Sequence, residues 1–269
     1  MDMAPAIELR GVTKRFLTPS GTVFTALRDL HMAIQPGEFC AVVGPTGCGK
    51  STTLGLISGL EPPSDGEVDV FGQPVKGIAD GIGYMFQSDA VFPWKTVLEN
   101  VAAGPRYRGT SHRDAREKAR EWIARVGLAG FEDRYPYQLS GGMRKRVALA
   151  QSLINGPRIL LMDEPFSALD VQTRSLMENE LLSLWAASSA SVVFVTHDLE
   201  EAISLSDRVF VITAGPGTVK SNYKVDLPRP RNVAEVRFQP RFIEIYEEIW
   251  KDLKDEVLVS YERQKRGAA

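Results

Sequence analysis

The residue types best suited to chemistry lie in one glycine-rich segment, GPTGCGKST, which satisfies the pattern G-x-x-x-x-G-K-[ST]. Glycines let backbone N–H groups curve around phosphate oxygens. We expect Lys50 to reach the β- and γ-phosphates of a nucleotide and the Ser51 hydroxyl to bind Mg²⁺. The alternative interpretation is a plain strand-to-helix turn with a solvated lysine. The candidate phosphate-binding residues are Gly44, Pro45, Thr46, Gly47, Cys48, Gly49, Lys50, Ser51 and Thr52.

A second glycine-rich segment, LSGGM, precedes the helical pattern RKRVALAQSL. Its Ser140, Gly141 and Gly142 place a hydroxyl and backbone N–H groups at the start of a helix, where the helix dipole favours an anion. The first segment already suffices for the phosphates of one nucleotide. The sequence therefore raises the question of whose phosphate the second segment binds.

Two acidic residues, Asp163 and Glu164, end the apolar run of ILLMDEP. Ligands of α/β proteins bind at the carboxyl ends of parallel strands. Asp163 suits a Mg²⁺ contact, and Glu164 could polarise an attacking water. Acids at a strand end are usually just solvated, so this interpretation depends on the phosphate-binding segment.

Three further candidates are ambiguous on their own. His197 follows the apolar run VVFVT and could reach a γ-phosphate, although such a histidine is more often structural. Gln87 offers an uncharged amide that could contact Mg²⁺ or the water, and alone it would be a surface glutamine. Phe16 could stack on a base or fill a core, and the sequence alone favours the core.

The elements that must position these residues alternate along the chain. The almost continuous apolar run Phe39–Val43 predicts a buried parallel strand before the glycine-rich segment, and TTLGLISGL predicts a helix after it. A helical, charged pattern extends from about Val97 to Ser152, and residues 240–257 form an amphipathic helical pattern in the tail. This order predicts an α/β core with a helical subdomain. Other predicted strands are IELRGVTKRF, GTVFTALRDLHMAI, GEVDVFGQPV, RILLMDEP, SVVFVTHD and DRVFVIT, and the apolar face of the tail contains Phe242, Ile245, Ile249 and Leu253.

The bulk composition excludes several classes of protein. A net charge of -2 over 269 residues gives no global electrostatic reason to bind nucleic acid or an anionic membrane, and we expect no nucleic-acid partner. Cys40 and Cys48 do not suggest a disulfide framework, which favours a reducing cytoplasm. The sequence shows neither a signal-peptide pattern nor an apolar run of about 18 residues, so work at a membrane requires a partner.

In chain order, Phe16, GPTGCGKST, MFQ, LSGGM, ILLMDEP, SALD and VTHD resemble the nucleotide-binding cassette of ABC transporters over nearly the whole chain. The resemblance implies ATP and Mg²⁺ as cofactors and an α/β fold, a P-loop NTPase (RecA-like) core with an antiparallel β subdomain and an inserted α-helical subdomain. It places the ATPase domain at residues 1–230, the helical subdomain at about 88–158 and a helical tail at 231–269.

The resemblance also implies an answer for the second segment, because ABC cassettes work as head-to-tail pairs of two copies. The glycine-rich loop of one copy and the LSGG segment of the other close on the same ATP. Met143 stands where glutamine is commonest in the family, and we assign it no nucleotide contact. The implied roles are adenine stacking by Phe16, Mg²⁺ binding by Ser51, Gln87 and Asp163, general base for Glu164, γ-phosphate contacts by Lys50 and His197, contacts to the partner's ATP by Ser140, Gly141 and Gly142, and a cross-interface contact by Asp170.

A narrower resemblance rests on SDAVFPWKTVLENV and VDLPRPRN, which are similar to segments of importer cassettes for nitrate, sulfonates and taurine. It implies an integral membrane permease, a separate solute-binding protein and a peripheral position on the cytoplasmic face of the membrane. Val91, Phe92, Pro93 and Trp94 are the candidate permease contacts, with packing inside the helical subdomain as an equal alternative.

Other functions remain open at this point. The solute could instead be a thiamine precursor or another compound, and a cassette paired with a separate exporter subunit would carry the same motifs. A non-transport ABC ATPase for DNA repair is disfavoured because no sustained heptads appear. A cassette that binds ATP without hydrolysis is disfavoured because Glu164 and His197 are both present.

Overall fold

Strands and helices alternate along the chain in the computed structural model, which describes residues 4–88 and 90–267. The chain divides into a core unit, from residues 1–80 and 189–269, and an inserted unit, residues 81–188. Among the described residues, no helix combines the length and the apolar composition needed to cross a membrane. The elements are β1 (Ile7–Leu17), β2 (Val23–Ile34), β3 (Phe39–Val43), α1 (Lys50–Ser58), β4 (Asp65–Val70), β5 (Gln73–Pro74), β6 (Ile82–Met85), α2 (Val97–Tyr107), α3 (His112–Arg125), a 3₁₀ helix (Pro136–Gln138), α4 (Gly141–Leu153), β7 (Ile159–Asp163), α5 (Val171–Ala186), β8 (Ser191–Thr196), α6 (Leu199–Leu205), β9 (Arg208–Ile212), β10 (Val219–Lys224), α7 (Val233–Val236) and α8 (Pro240–Gly267).

The core unit contains the parallel strands that the apolar runs predict. β3 pairs in parallel with β8 on one side and β9 on the other, and β10 adds an antiparallel edge to β9. Every residue of β3 and β8 is buried, as expected for strands covered on both faces. This arrangement confirms the predicted α/β core and sets the carboxyl end of β3 as the start of the glycine-rich loop.

A separate antiparallel sheet in the core unit has the strand order β2-β1-β4-β5. β1 and β2 pair from Ile7 opposite Ile34 to Leu17 opposite Val23, with register shifts between. The alternation of apolar and polar residues therefore identified two half-buried strands correctly. The sheet places Phe16 close to the β1–β2 turn.

The inserted unit pairs β6 with β7 in parallel and packs α2, α3 and α4 around one apolar cluster. Thr96 and Glu99 form a capping box that starts α2, and Ser111 caps α3. The predicted helical subdomain, about 88–158, lies within this unit. Its helices begin where local capping residues satisfy their first N–H groups.

Besides the two-residue β5, two strands are absent from the sequence prediction. β6 spans only Ile82–Met85 and includes a glycine, so it is too short to show a period. β10 alternates half-buried and exposed residues and carries two lysines, since it lies at an edge. Both depend on pairing with a longer neighbour, which a local pattern does not reveal.

The predicted apolar face of the tail is buried in α8. Phe242, Ile245, Ile249 and Leu253 pack in one cluster with residues of β3, β9 and α6. The amphipathic pattern of the tail therefore belongs to a helix that packs on the core unit. The helix also continues well past Leu253, to Gly267.

A buried arginine ties the segment before α7 to the core unit. The Arg231 side chain is 1% exposed, and its guanidinium donates to the carbonyls of Ser206 at 2.6 Å and Leu227 at 3.0 Å. Burial, followed by the charge of nearby Arg229, lowers the pKa of Arg231 to about 10. The charge is accommodated because carbonyl oxygens from several loops converge on it.

We predict that Arg231→Met lowers the free energy of unfolding by about 3 kcal/mol, because it leaves buried carbonyl groups without their donor. Urea unfolding followed by circular dichroism measures the change. Arg113→Met is the control, since the Arg113 side chain is 84% exposed and its ion pair is with Asp114, an exposed acid of its own helix. Equal unfolding midpoints for the two variants would contradict this role of Arg231.

Candidate nucleotide-binding site

The glycine-rich loop connects β3 to α1 and shapes an open helix start. Gly49 precedes α1 in a left-handed conformation with φ 101°, and within the described residues no side chain caps the helix. Gly47 also has a positive φ of 78°, and a Cβ atom placed on it would meet no described heavy atom outside the adjoining residues within 4 Å. N–H groups at an uncapped helix start are the usual partners of a phosphate.

Two glycines of this loop are required by close packing. A Cβ atom on Gly49 would lie 2.5 Å from Leu27 Cδ2, and one on Gly44 would lie 2.9 Å from the carbonyl oxygen of Ile212. Neither position has room for a side chain. The loop conformation is therefore set by its neighbours in the core unit as well as by its own sequence.

Lys50 lies inside the curve of the loop. Its side chain is buried, and its ammonium group donates to the carbonyls of Gly44 at 2.9 Å and Pro45 at 3.1 Å. Ser51 is exposed at the first turn of α1, whereas Cys48 is buried. The loop thus combines a cation, a hydroxyl and backbone donors, and Cys48 contributes through its main chain rather than an open thiol.

The other candidates of the core unit are Phe16 and His197. Phe16 is half-buried on β1, with the Lys14 ammonium 4.8 Å from its ring centroid. His197 is exposed directly after β8. The next residue, Asp198, caps α6 by accepting from the N–H of Glu200 at 2.9 Å. The backbone on both sides of His197 is therefore fixed by regular structure.

The inserted unit brings together Gln87 and the paired acids. Asp163 is the buried last residue of β7, and Glu164 follows it with φ 42°, a conformation that costs energy in a residue other than glycine. The Gln87 Nε2 donates to Glu164 Oε2 over 3.4 Å, at the long end for a hydrogen bond. Strain of this kind is concentrated at functional sites, and Glu164, the residue that carries it, is partly exposed.

The LSGGM segment begins α4 as the sequence predicts. Ser140 is the N-cap, and its Oγ accepts from the N–H of Met143 at 3.3 Å while keeping its own hydrogen for donation. A Cβ atom on Gly142 would lie 2.8 Å from Thr173 Cγ2, so this glycine also permits α4 to pack on α5. Met143 packs against the helical cluster.

Asp170 is the N-cap of α5. Its Oδ1 accepts from the Thr173 N–H at 3.0 Å, and the hydrogen bonds to Thr173 lower the pKa of Asp170. The residue is exposed and anionic. The structure thus gives Asp170 a role within its own helix, and the cross-interface contact remains a prediction.

The candidate residues are distributed over both units. Phe16, the glycine-rich loop and His197 belong to the core unit, and the remaining candidates belong to the inserted unit. Within each unit they lie at the ends of strands or the starts of helices. The members in the inserted unit are Gln87, Ser140, Gly141, Gly142, Asp163, Glu164 and Asp170.

Sequence analysis missed one residue beside these candidates, Lys145 of α4. Its side chain is buried, and its Nζ donates to the main-chain carbonyl of Gln87 at 2.8 Å. It thereby ties the segment that carries Gln87 to the helix that begins at Ser140. No local pattern marks this lysine, because its partner is a backbone atom far away in the sequence.

The donor set fits a nucleoside triphosphate with Mg²⁺. An uncapped helix start and Lys50 suit phosphate oxygens, and Mg²⁺ characteristically uses one or two protein oxygens together with phosphates and water. In the described residues no cluster of three or more His, Cys, Asp and Glu side chains forms a metal site by itself, as expected for that mode. The fold and the site together define a phosphate-loop nucleotide-binding protein of the α/β class.

Comparison with known proteins defines the family. The family model for ABC transporters matches residues 27–167, which include the glycine-rich loop, LSGGM and the paired acids. The chain belongs to the ABC transporter family, as one of its ATP-hydrolysing, ATP-binding proteins.

Relatives with assigned names cover almost the whole chain. A nitrate import ATP-binding protein from Synechocystis sp. is 40% identical over 90% of this chain and 93% of that protein. An aliphatic sulfonates import ATP-binding protein from Bacillus cereus is 40% identical over 87% and 91%. A taurine import ATP-binding protein from Jannaschia sp. is 38% identical over 94% and 96%. The narrower resemblance to this group of importer cassettes is confirmed.

A solved structure supports the fold. It is a dimeric ATP-binding cassette in a post-hydrolysis state, bound to ADP and Pi, and matches with a TM-score of 0.73 at 32% identity. The match covers 82% of this chain and all of the other. The predicted P-loop NTPase fold is confirmed.

We predict that Lys145→Met lowers kcat for ATP hydrolysis about tenfold with little change in KM, because the Gln87 main chain loses a charge-assisted hydrogen bond. Steady-state kinetics of the full chain measure both constants. Lys145→Gln retains an N–H donor and is expected to recover most of the rate.

Lys118→Met is the control, because Lys118 is an exposed lysine of α3 in the same unit. The prediction is wrong if Lys145→Met and Lys118→Met have the same kcat, or if KM accounts for the whole effect.

Proposed function

We propose that this chain is the ATP-binding subunit of an importer and that two copies work as a head-to-tail pair. The observation that carries the proposal is a pair of helix starts suited to phosphate, at Gly49 in the core unit and at Ser140 in the inserted unit. A single ATP requires only one phosphate loop. Both helix starts are used when the Ser140 segment of each copy meets the ATP held by the other, and the related dimeric cassette supports this pairing.

In each proposed site, residues 44–52 hold the phosphates and Phe16 stacks on the adenine. Ser51, Gln87 and Asp163 hold Mg²⁺, which when bound neutralises charge on the phosphates. The exposed hydroxyl of Ser51 and the buried carboxylate of Asp163 support these assignments.

Hydrolysis needs a base for the attacking water and contacts to the γ-phosphate. We assign the base to Glu164, whose strained backbone and half-exposed carboxylate set it apart from the buried Asp163. Gln87 lies beside this carboxylate and helps to position the water. His197 and Lys50 contact the γ-phosphate. Asp170 makes a contact across the interface to the other copy. The ATP bound by that copy is contacted by Ser140, Gly141 and Gly142.

ATP binding and hydrolysis drive transport through a difference in affinity. The closed pair must bind ATP more tightly than the open pair, because a ligand with equal affinity for both states shifts neither. Hydrolysis removes the bridging γ-phosphates and lets the pair reopen. A separate permease in the membrane changes conformation with this cycle. In this proposal the chain is a peripheral subunit bound to the permease on the cytoplasmic face of the membrane.

We predict that Glu164→Gln abolishes measurable ATP turnover and accumulates an ATP-bound dimer. The amide keeps the size of the side chain but accepts no proton from the water, so ATP remains and holds the pair closed. Light scattering with Mg-ATP measures the mass, and phosphate release measures turnover.

Glu262→Gln is the matched control, since Glu262 is an exposed carboxylate of α8. Full turnover by Glu164→Gln would remove Glu164 as the base, and a chain that binds no ATP in any variant would overturn the proposed function.

The permease contact is assigned to the loop that precedes α2. Trp94 is 71% exposed, and its ring lies 5.8 Å from that of Phe92. The buried side chain of Asn100 bridges the loop, since it accepts from the Phe92 N–H at 2.7 Å and donates to the Lys95 carbonyl at 3.0 Å. Val91 instead packs on the helical cluster, so the proposed permease contact is limited to the other three residues.

A cavity of about 280 Å³ in the inserted unit adjoins this loop and is lined by Phe92, Tyr84, Phe86 and Tyr107 among others. Tyr107 is 75% exposed at the end of α2. Aromatic side chains around a concave surface are typical of protein interfaces. We propose that Phe92, Pro93 and Trp94 receive a segment of the permease here, and that the solute is a small anion such as nitrate or a sulfonate, delivered by a solute-binding protein.

We predict that Trp94→Ala reduces binding to membranes that contain the permease about tenfold, because a central aromatic side chain supplies a large part of interface energy. Co-sedimentation with inverted vesicles measures the bound fraction. Tyr137→Ala is the control, since Tyr137 is an equally exposed aromatic residue of the same unit, at 77%. Equal binding of both variants would place the permease contact elsewhere.

A further inference from the structure

The turn between β9 and β10, residues 213–218, lies directly against the phosphate loop. A Cβ atom on Gly217 would come within 2.1 Å of the Cys48 carbonyl oxygen. The Gly217 N–H donates to the Ala26 carbonyl at 2.8 Å, and its own carbonyl accepts from the Arg28 N–H at 2.9 Å. A displacement of this turn therefore changes the space available to the phosphate loop.

A carboxylate of α8 holds this turn in place. Glu256 Oε2 accepts from the Ala214 N–H at 2.8 Å, and Glu256 Oε1 pairs with Lys220 Nζ at 2.9 Å. The Glu256 side chain is 14% exposed, so water competes weakly for these contacts. The Glu256 side chain thus binds both Ala214, near the start of the turn, and Lys220, the second residue of β10.

Neighbouring positions of α8 reinforce the contact. Asp252, one helical turn before Glu256, accepts from Ser221 Oγ at 2.6 Å and from Tyr223 Oη at 2.7 Å. These hydrogen bonds lower the pKa of Asp252. Arg263 donates to the Gly215 carbonyl. The polar side of α8 therefore follows the β9–β10 hairpin along its length.

We infer that α8 sets the affinity of the phosphate loop for ATP through the 213–218 turn, with Glu256 as the positioning residue. The inference rests on the proposed function, in which residues 44–52 bind the nucleotide. Glu256 touches no nucleotide itself. It fixes the turn, and the turn fixes the main chain around Cys48.

The position of Glu256 separates this role from general stability. The apolar face that anchors α8 ends at Leu253, before Glu256. Removal of the carboxylate therefore leaves the anchoring side chains in place and frees mainly the turn. Nucleotide affinity should respond more strongly than the unfolding midpoint.

The test is the binding of a fluorescent ATP analogue to the full chain, with thermal unfolding of each variant measured in parallel. We expect Glu256→Ala to raise the Kd about tenfold, the effect of one lost hydrogen bond to a charged group. In hydrolysis assays KM should rise more than kcat falls. Glu256→Gln retains an oxygen that accepts from Ala214, so its Kd should lie near the wild-type value.

Asp255→Ala is the matched control, because Asp255 is the adjacent carboxylate and is exposed. The inference is overturned if folded Glu256→Ala binds like the wild type, or if Asp255→Ala weakens binding equally. If Glu256→Ala does not fold, Glu256→Met takes its place, since it keeps the aliphatic part of the side chain and removes both carboxylate oxygens, and an unchanged Kd then has the same meaning. A wild-type chain that binds no ATP would refute the proposed function itself, whereas equal binding by all variants refutes only this inference.

Discussion

The uncapped start of α1 is the constraint on which the rest of the site depends. Gly49 adopts a left-handed conformation, and a Cβ atom on it would lie 2.5 Å from Leu27 Cδ2. Only glycine fits at this position. Among the described residues, no side chain caps the first N–H groups of the helix. The Lys50 ammonium group donates to a carbonyl of the loop itself. A helix start of this kind is costly alone and favourable with an anion, so the loop is built around a ligand.

The start of α4 solves the same physical problem differently. Ser140 caps the helix in its own chain, so α4 does not require an anion to be stable. The Ser140 hydroxyl can also donate, and the described residues leave space above Gly141, where a Cβ atom would meet Arg144 Nη2 at 3.9 Å and no other described atom within 4 Å outside the adjoining residues and the helix backbone. A stable helix start suits the proposed role of this segment, which is to meet the nucleotide of a second copy only during part of a cycle.

Local patterns predicted the parts of the structure that depend on local causes. The apolar run Phe39–Val43, the glycines after it and the acids that end β7 each follow from strand burial and turn geometry within a few residues. The strained φ of Glu164 was not predictable, because packing around the turn imposes it. Nor was the use of Asp170 as a helix cap, although the residue type allows it.

The contacts of Lys145 and Glu256 could not be predicted from the sequence, and the reason is the same for both. Both side chains bind main-chain atoms, the carbonyl of Gln87 and the N–H of Ala214, which are 58 and 42 residues away. A backbone partner imposes no residue type, so no motif records the pairing. Such contacts fix the position of a loop without restricting its sequence. Sequence motifs therefore indicate which atoms do the chemistry, whereas buried charges bound to distant main chain show what holds those atoms in place.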